Sequence, residues 1–320
     1  DLPSTILDNL YIDIVDRNAE YVIATNEQKY SNENLQYASA GDLSEIFELM
    51  RSLNYKGMTD PTVGCYEGGG KCLADALNET CDFIAKTYRG TSIEYVELGP
   101  EPVKTELILS ALKARGVSIA SYKSVDINPA SAAPMREVVG RILKPSQISH
   151  VAINFDELER SHLSPDHPVV LTSLGFQEGN HMPRDTRSLL RRVTRKGDSI
   201  LSEMQVLPLT GWDPVIGFYE LEEMQRFSKN CVSRAYGMVD SKYHIAIADI
   251  PIDGMTVPVV VTGEEFLSDN GETILFVTNY CLKYTKNQFR DVRQRDGLFE
   301  VISEIDTSDK SIVFQLAQRQ

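Results

Sequence analysis

The amino-acid sequence predicts an α/β fold: a mostly parallel β-sheet with helices on both faces. Two observations carry this. From Ser92 onward, short β-branched or aromatic runs alternate with stretches of helical spacing, the pattern of βαβ units and a parallel sheet. Residues suited to ligand contact stand at three successive strand ends: Gly99, then Asp126, then Asn154-Phe155. Right-handed crossovers fix the winding of such a sheet, and ligands bind beyond its C-terminal strand ends. The 320 residues suit one large domain or two intertwined ones.

The first forty residues are mixed and polar. Asp42-Leu43-Ser44-Glu45 reads as a capping box, with Asp42 accepting from backbone N–H groups and Glu45 reaching back. Ile46, Phe47, Leu49, Met50 and Leu53 follow at helical spacing. Tyr55 to Pro61 reads as a turn-rich loop. Gly68-Gly69-Gly70 precedes a second helix, carrying Leu73, Ala76, Leu77, Phe83 and Ile84 and running to about Tyr88.

The strand Ile93–Leu98 ends at Gly99-Pro100, and a helix with Val103, Leu107, Ile108 and Leu112 comes next. Val117–Val125 is a strand ending at Asp126, followed by a helix from Ala132 to Leu143. His150–Phe155, Val169–Leu174 and Ser199–Met204 are the next strands, separated by helical segments. The last third holds strand-like runs at Tyr243–Ala248, Val257–Val261, Ile274–Thr278, Phe299–Ile305 and Ile312–Gln315, with one clear helix from Lys286 to Arg293. These strands are expected to complete the sheet and to add an antiparallel portion. With the N-terminal helices they would form a second lobe over the ligand crevice.

Apolar residues make up 42% and charged residues 24% of the chain, enough apolar material for a sizeable core. The formal net charge is −14, which opposes binding to nucleic-acid phosphates and to anionic membrane surfaces. No apolar run approaches the roughly 20 residues that span a bilayer. Asp1-Leu2-Pro3-Ser4-Thr5 lacks the pattern of a secretory signal. Cys65, Cys72, Cys81, Cys231 and Cys281 are odd in number and form no C-x-x-C. They are expected to be reduced thiols of a cytoplasmic protein. His150, His162, His167, His181 and His244 show no metal-ligand spacing with them, so no metal is expected.

The turn Val96-Glu97-Leu98-Gly99-Pro100-Glu101-Pro102-Val103-Lys104-Thr105 sits between strand and helix. Glycine there lets backbone approach a nucleotide-like ligand, and the helix N-terminus favours an anion. Asp126 at the end of the next strand can accept both ribose hydroxyls of an adenosyl ligand. Asn154 and Phe155 could bracket an adenine with an amide and a ring. The bland alternative is an α/β protein with ordinary turn residues at its strand ends.

These segments, with Leu174-Gly175-x-x-x-Gly179-Asn180-x-x-Pro183, are similar to corresponding parts of the histidine-specific, S-adenosylmethionine-dependent methyltransferases of ergothioneine biosynthesis. Gly271-Glu272-Thr273-Ile274, Lys283-Tyr284-Thr285, Gly297-Leu298-Phe299 and Asp306 also match in order and spacing, as do Tyr37, Gly41, Phe47 and Leu53-Asn54-Tyr55 upstream. The resemblance runs over roughly residues 37–318. It implies a Rossmann-like class I methyltransferase sheet with helices on both faces and a second, substrate-binding lobe. Residues 1–60 would begin that lobe, 61–210 form the core, and 211–320 supply the rest of the lobe and the C-terminal strands.

The resemblance implies S-adenosylmethionine as cofactor, contacted by Glu97, Gly99, Lys104, Asp126, Asn154 and Phe155. It implies a small amino-acid-like substrate whose carboxylate is held by Tyr55 and Asn180, with Tyr37 steering the amine. Tyr37 and Asn180 would be the catalytic pair. Core or rim packing is the plainer role for the two tyrosines, and a turn position for Asn180. The chain departs from the family in two places. Pro100-Glu101-Pro102 replaces a second loop glycine, removing N–H donors and adding a negative charge near the expected methionyl carboxylate. Asn279 and Cys281 stand where the family places a carboxylate and a hydroxyl for histidine. An amide cannot make the charge-assisted bond to an imidazole N–H, so histidine is not the expected substrate. A small buried apolar role is the plain one for Cys281. Glu178, His181 and Glu203 are further acid–base candidates, against the commoner solvated or salt-bridged role. A methyltransferase-fold enzyme with a changed reaction (cyclisation or elimination) and a non-catalytic binding subunit are the alternatives.

Overall fold

The computed structural model describes residues 1–10, 19–33, 35–59 and 70–320. The chain opens with helix α1 (Leu2–Asn9), strand β1 (Glu20–Ile23), helix α2 (Asn26–Tyr30) and helix α3 (Leu43–Thr59). Asp42 caps α3 as predicted, its Oδ1 accepting from Ser44 N at 2.9 Å. The reciprocal half of the capping box is missing. Glu45 turns away to Arg226 at 2.7 Å and the Asn230 amide at 3.0 Å, because an ion pair outbids a bond to a solvent-reachable N–H. The predicted loop from Tyr55 is also corrected: α3 continues through it to Thr59. Gly57 is a weak helix former, but Leu53 and Gly57 are buried four residues apart, and packing overrides propensity. Asp60, Pro61, Cys65, Gly68 and Gly69 lie outside the described residues.

The next elements alternate as predicted: α4 (Leu73–Thr87), β2 (Ile93–Leu98), α5 (Pro102–Ala114), β3 (Ile119–Val125), α6 (Ala132–Val139), β4 (Ile148–Val151), β5 (Val169–Ser173), α7 (Pro183–Val193) and β6 (Ser199–Gln205). Two boundaries shift. Asn154 does not sit at a strand end; its side chain caps a 3-10 turn at Phe155–Glu157, the position asparagine favours. The helix from Ala132 stops at Val139, before Gly140.

Helices α8 (Asp213–Tyr219) and α9 (Glu222–Tyr236) come next, then strands β7 (Lys242–Ile252), β8 (Met255–Leu267) and β9 (Thr273–Leu282). The chain ends with α10 (Lys286–Gln294), β10 (Phe299–Asp306) and β11 (Ile312–Arg319). The sequence reading found one helix in the last third and missed α8 and α9. The buried face of α9 includes Glu223, Ser228, Asn230, Ser233 and Arg234, so its apolar periodicity is broken by polar residues, some with partners on other elements, as Glu223 with Ser52 and Ser228 with Thr278. Arg234 is fully buried, and its guanidinium bonds Asn230 Oδ1 at 2.8 Å and Lys29 O at 2.6 Å. It thereby pins α2 to α9.

Seven strands form the main sheet in the order β10-β11-β6-β5-β2-β3-β4. The strands from β2 to β6 are mutually parallel, and β11 runs antiparallel between β6 and β10. Alternation along β2 separates two cores. Ile93 and Tyr95 join Leu77, Ile84, Ile108 and Met135 of α4, α5 and α6. Val96 and Leu98 join Leu190 and Val193 of α7 on the other face, as a two-residue period requires. The sheet is Rossmann-like: the winding runs one way through β3 and β4, then reverses to β5 and β6. The reversal lies between β2 and β5, where a crevice opens beyond the strand ends.

A second sheet, β1-β9-β8-β7, is antiparallel except for β1, which pairs in parallel with β9. Helices α3 and α9 pack on it through Ile46, Leu49, Phe227, Cys231 and Phe276. This lobe draws on both ends of the chain. Among the described residues, no helix is long and apolar enough to cross a membrane.

Candidate functional site

A cleft of about 590 Å³ lies at the switch between β2 and β5. Its floor carries Glu97, Gly99, Glu101, Lys104, Asp126, Asn154 and Phe155, and its roof carries Tyr30, Phe47, Met50 and Asn54 from α2 and α3. Every residue that the resemblance assigned to the cofactor therefore lines one cavity. A smaller chamber of about 110 Å³ adjoins it and shares Tyr30, Met50, Asn54, Lys104, Gly175 and Asn180 as walls. Asn279 and Cys281 line only the inner chamber.

The glycine turn is built as its chemistry demands. Gly99 has φ of 62°, a region that side chains rarely adopt. A Cβ there would meet Gln177 Nε2 at 2.4 Å. That amide donates to Leu98 O at 2.7 Å, while Gln177 Oε1 is buried without a partner. Gly99→Ala is expected to destabilise the fold by about 1–2 kcal/mol through left-handed backbone strain, and to displace Gln177 from the turn. A urea titration of the variant checks this.

Glu101 takes up the N-terminus of α5. Its carboxylate accepts from Val103 N at 2.6 Å and Lys104 N at 3.0 Å, and Pro102 occupies the first turn, where a missing N–H costs nothing. The donors that the resemblance would offer to a ligand carboxylate are thus met from within. Burial pushes the Glu101 carboxyl up to about 7, against the pull of Lys104. Glu97 is likewise pushed up to about 7 by burial. It accepts from Tyr122 Oη at 2.6 Å, Thr105 Oγ1 at 2.7 Å and Tyr95 Oη at 3.2 Å.

Both carboxyls titrate above their unfolded value near 4.5. The native state holds their protons longer, so their contribution favours the fold at low pH and is lost as pH rises from about 4.5 through 7. Denaturation midpoints between pH 5 and pH 8 should fall less steeply in a Glu97→Gln, Glu101→Gln double variant than in the parent.

Asp126 keeps Oδ1 on the Asn128 N–H at 2.9 Å and lines the cleft; burial holds its pKa above the usual range. Lys104 does not reach into open cleft. Its Nζ pairs with Glu203 Oε1 at 2.6 Å, both side chains buried. Asn180 faces both cavities. His181 lines the outer one, its pKa lowered by burial and then by Lys29. Glu178 is spent on Ser202 and on buried Arg293 at 2.5 Å.

Two assigned residues are not brought to the site. Tyr37 is 38% exposed and packs near Gly237 at the end of α9. Tyr55 is 62% exposed on α3. Neither lines either of these two cavities. The helical continuation of α3 explains the second: Met50, Leu53, Asn54 and Gly57 face inward at helical spacing, which turns Tyr55 outward. Sequence reading missed Tyr30, Asn54 and Gln177. The spacing of Leu53 from Met50 and Gly57 could have located Asn54. Tyr30 sits in a short polar helix that gives no signal.

No protein-family model matches the chain, and no curated protein sequence matches it. Solved structures do. The methyltransferase CcbJ of Streptomyces caelestis is 11% identical, covering 76% of this chain and 89% of its own, with a TM-score of 0.42. CalS10 of Micromonospora echinaspora, an amino pentose methyltransferase solved with S-adenosylmethionine, is 13% identical, covering 85% and 97%, with a TM-score of 0.42. KedS8 of Streptoalloteichus, a sugar N-methyltransferase, is 11% identical, covering 84% and 92%, with a TM-score of 0.41. The likeness is one of outline, and the fold class rests on the strand order itself.

Proposed function

We propose that this chain is an S-adenosylmethionine-dependent methyltransferase of a small amino-acid-derived metabolite other than histidine. One observation carries the reading: Gly99, Asp126 and Asn154-Phe155, at or just past three successive strand ends, line a single cleft at the topological switch. The residues fit the cofactor. Asp126 would take the ribose hydroxyls, Asn154 and Phe155 the adenine, and the Gly99 turn lets the ligand approach the backbone. S-adenosylmethionine supplies an electrophilic methyl group when bound. The protein's part is positioning and water exclusion. Met50 and Phe47 close the roof, and Asn180 stands between the cavities to orient a polar group of the substrate. Histidine is disfavoured because Asn279 and Cys281 replace the carboxylate and hydroxyl that the resemblance associates with imidazole.

A second reading has its own observation. Glu101 occupies the helix N-terminus with its own carboxylate, which favours a methyltransferase-fold enzyme with a changed reaction, a cyclisation or elimination. Isothermal titration calorimetry with S-adenosylmethionine separates the two. Saturable binding supports methyl transfer; no heat at millimolar cofactor removes it.

A further inference from the structure

The strand order sets out where each part of an adenosyl ligand would lie. Asn154 and Phe155 stand past β4, Asp126 at the end of β3 and Gly99 at the end of β2, and these three strands are neighbours in the sheet. With adenine at β4 and ribose at β3, the substituent on the ribose reaches the β2 turn, one strand spacing or about 5 Å further on. That substituent is the amino-acid tail, which carries one ammonium and one carboxylate.

The turn offers little to the carboxylate. Gly99 N is spent on Val125 O at 2.8 Å. Pro100 and Pro102 have no N–H. Val103 N and Lys104 N are spent on the Glu101 carboxylate, which leaves the turn only the N–H of Glu101 itself. Cations are engaged too. Among the described residues, the basic side chains lining the cleft are Lys104, Arg192 and His181. Lys104 is paired with Glu203. Arg192 donates to Leu158 O at 2.8 Å and to Phe155 O at 3.0 Å, on the adenine side. His181 is held towards its neutral form by burial and then by Lys29.

The ammonium is better served. Glu101 is partly exposed and lines the cleft. Each of its oxygens takes one backbone donor, and an ionised carboxylate has about four acceptor sites, so it can still receive a donor from the ligand. Burial pushes the carboxyl up to about 7, and a carboxyl in that state is one that a neighbouring cation stabilises.

We propose that the tail of the adenosyl ligand is read by its ammonium, received by Glu101, and that its carboxylate adds nothing to affinity. The proposal rests on the cleft being the S-adenosylmethionine site of the methyl-transfer reading and specifies how the far end of that ligand is held.

The test is calorimetry on the whole protein at pH 8, where Glu101 is ionised, with four thioethers that share the adenosine: S-adenosylhomocysteine, its decarboxylated analogue, its deaminated analogue, and methylthioadenosine, which lacks both groups. The decarboxylated analogue should bind at least as tightly as S-adenosylhomocysteine. The deaminated analogue should bind at least about tenfold more weakly, the worth of one bond to a charged acceptor, and no tighter than methylthioadenosine. A loss of affinity on removing the carboxylate, or equal binding of the deaminated analogue and S-adenosylhomocysteine, overturns the proposal. Neither result depends on a variant folding. Glu101→Gln keeps one acceptor for the helix N-terminus, and in it the penalty for removing the amine should disappear. Its survival overturns the assignment to Glu101. Binding of methylthioadenosine with the reverse tail preference defeats this proposal alone. Binding of none of the four removes the adenosyl reading of the cleft, and this proposal with it.

Discussion

Asp126→Ala is expected to weaken S-adenosylmethionine binding at least a hundredfold while leaving the protein folded. Hydrogen bonds to an ionised group are worth about 1.5–3 kcal/mol each, and a carboxylate at this strand end can take two ribose hydroxyls. The structural cost is small. The bonds that Asp126 makes, from Asn128 N, Ser131 and the Ile127 N–H, all stay within its own loop, and removing a buried carboxylate also removes its desolvation. Calorimetry gives the affinity and a thermal melt reports the fold. Ribose donors favour the ionised carboxylate, and burial raises its pKa. Affinity in the parent should therefore fall as pH drops through that raised value, and the variant should lack this dependence. Unchanged affinity in Asp126→Ala would remove the ribose assignment and with it the placing of the cofactor.

The second large effect concerns Lys104 and Glu203. Lys104→Met leaves Glu203 buried with its charge unopposed, which costs about 3–5 kcal/mol. The double variant Lys104→Met, Glu203→Met removes both charges, and buried pairs replaced by apolar residues of similar volume are often neutral or better. Urea midpoints for the parent, both single variants and the double variant close a cycle whose coupling term measures the pair. The expected pattern is one steep loss in Lys104→Met and recovery in the double. If Lys104→Met melts like the parent, the two side chains are not paired in solution and Lys104 is free to serve a ligand.

The alternating core was legible because each strand buries a residue every second position, as Tyr95 and Val96 show by facing opposite cores. That Gly99, Asp126, Asn154 and Phe155 line one cleft was legible as well, because strand ends in such a sheet converge on one crevice. The roof was less so. Tyr37 and Tyr55 were chosen by analogy of position, and the helix phase of α3 sends Tyr55 outward while Asn54 takes its place. Helix α9 escaped because its inner face is polar, satisfied by contacts such as Arg234 with Lys29 O that join residues only in three dimensions. The Pro100-Glu101-Pro102 sequence read as a clash with a ligand carboxylate. Its solution, a carboxylate capping the helix that it precedes, needs the local backbone to be seen.

Strand β1 finds its hydrogen-bonding neighbour in β9, with Glu20 opposite Ile274. That separation makes the pairing one of the latest to form, since loop closure must precede any reward from distant contacts. During synthesis, β1 must wait for β9 to emerge before the cover over the cavity can seat. Ligand affinity should thus be acquired after, and independently of, most of the secondary structure.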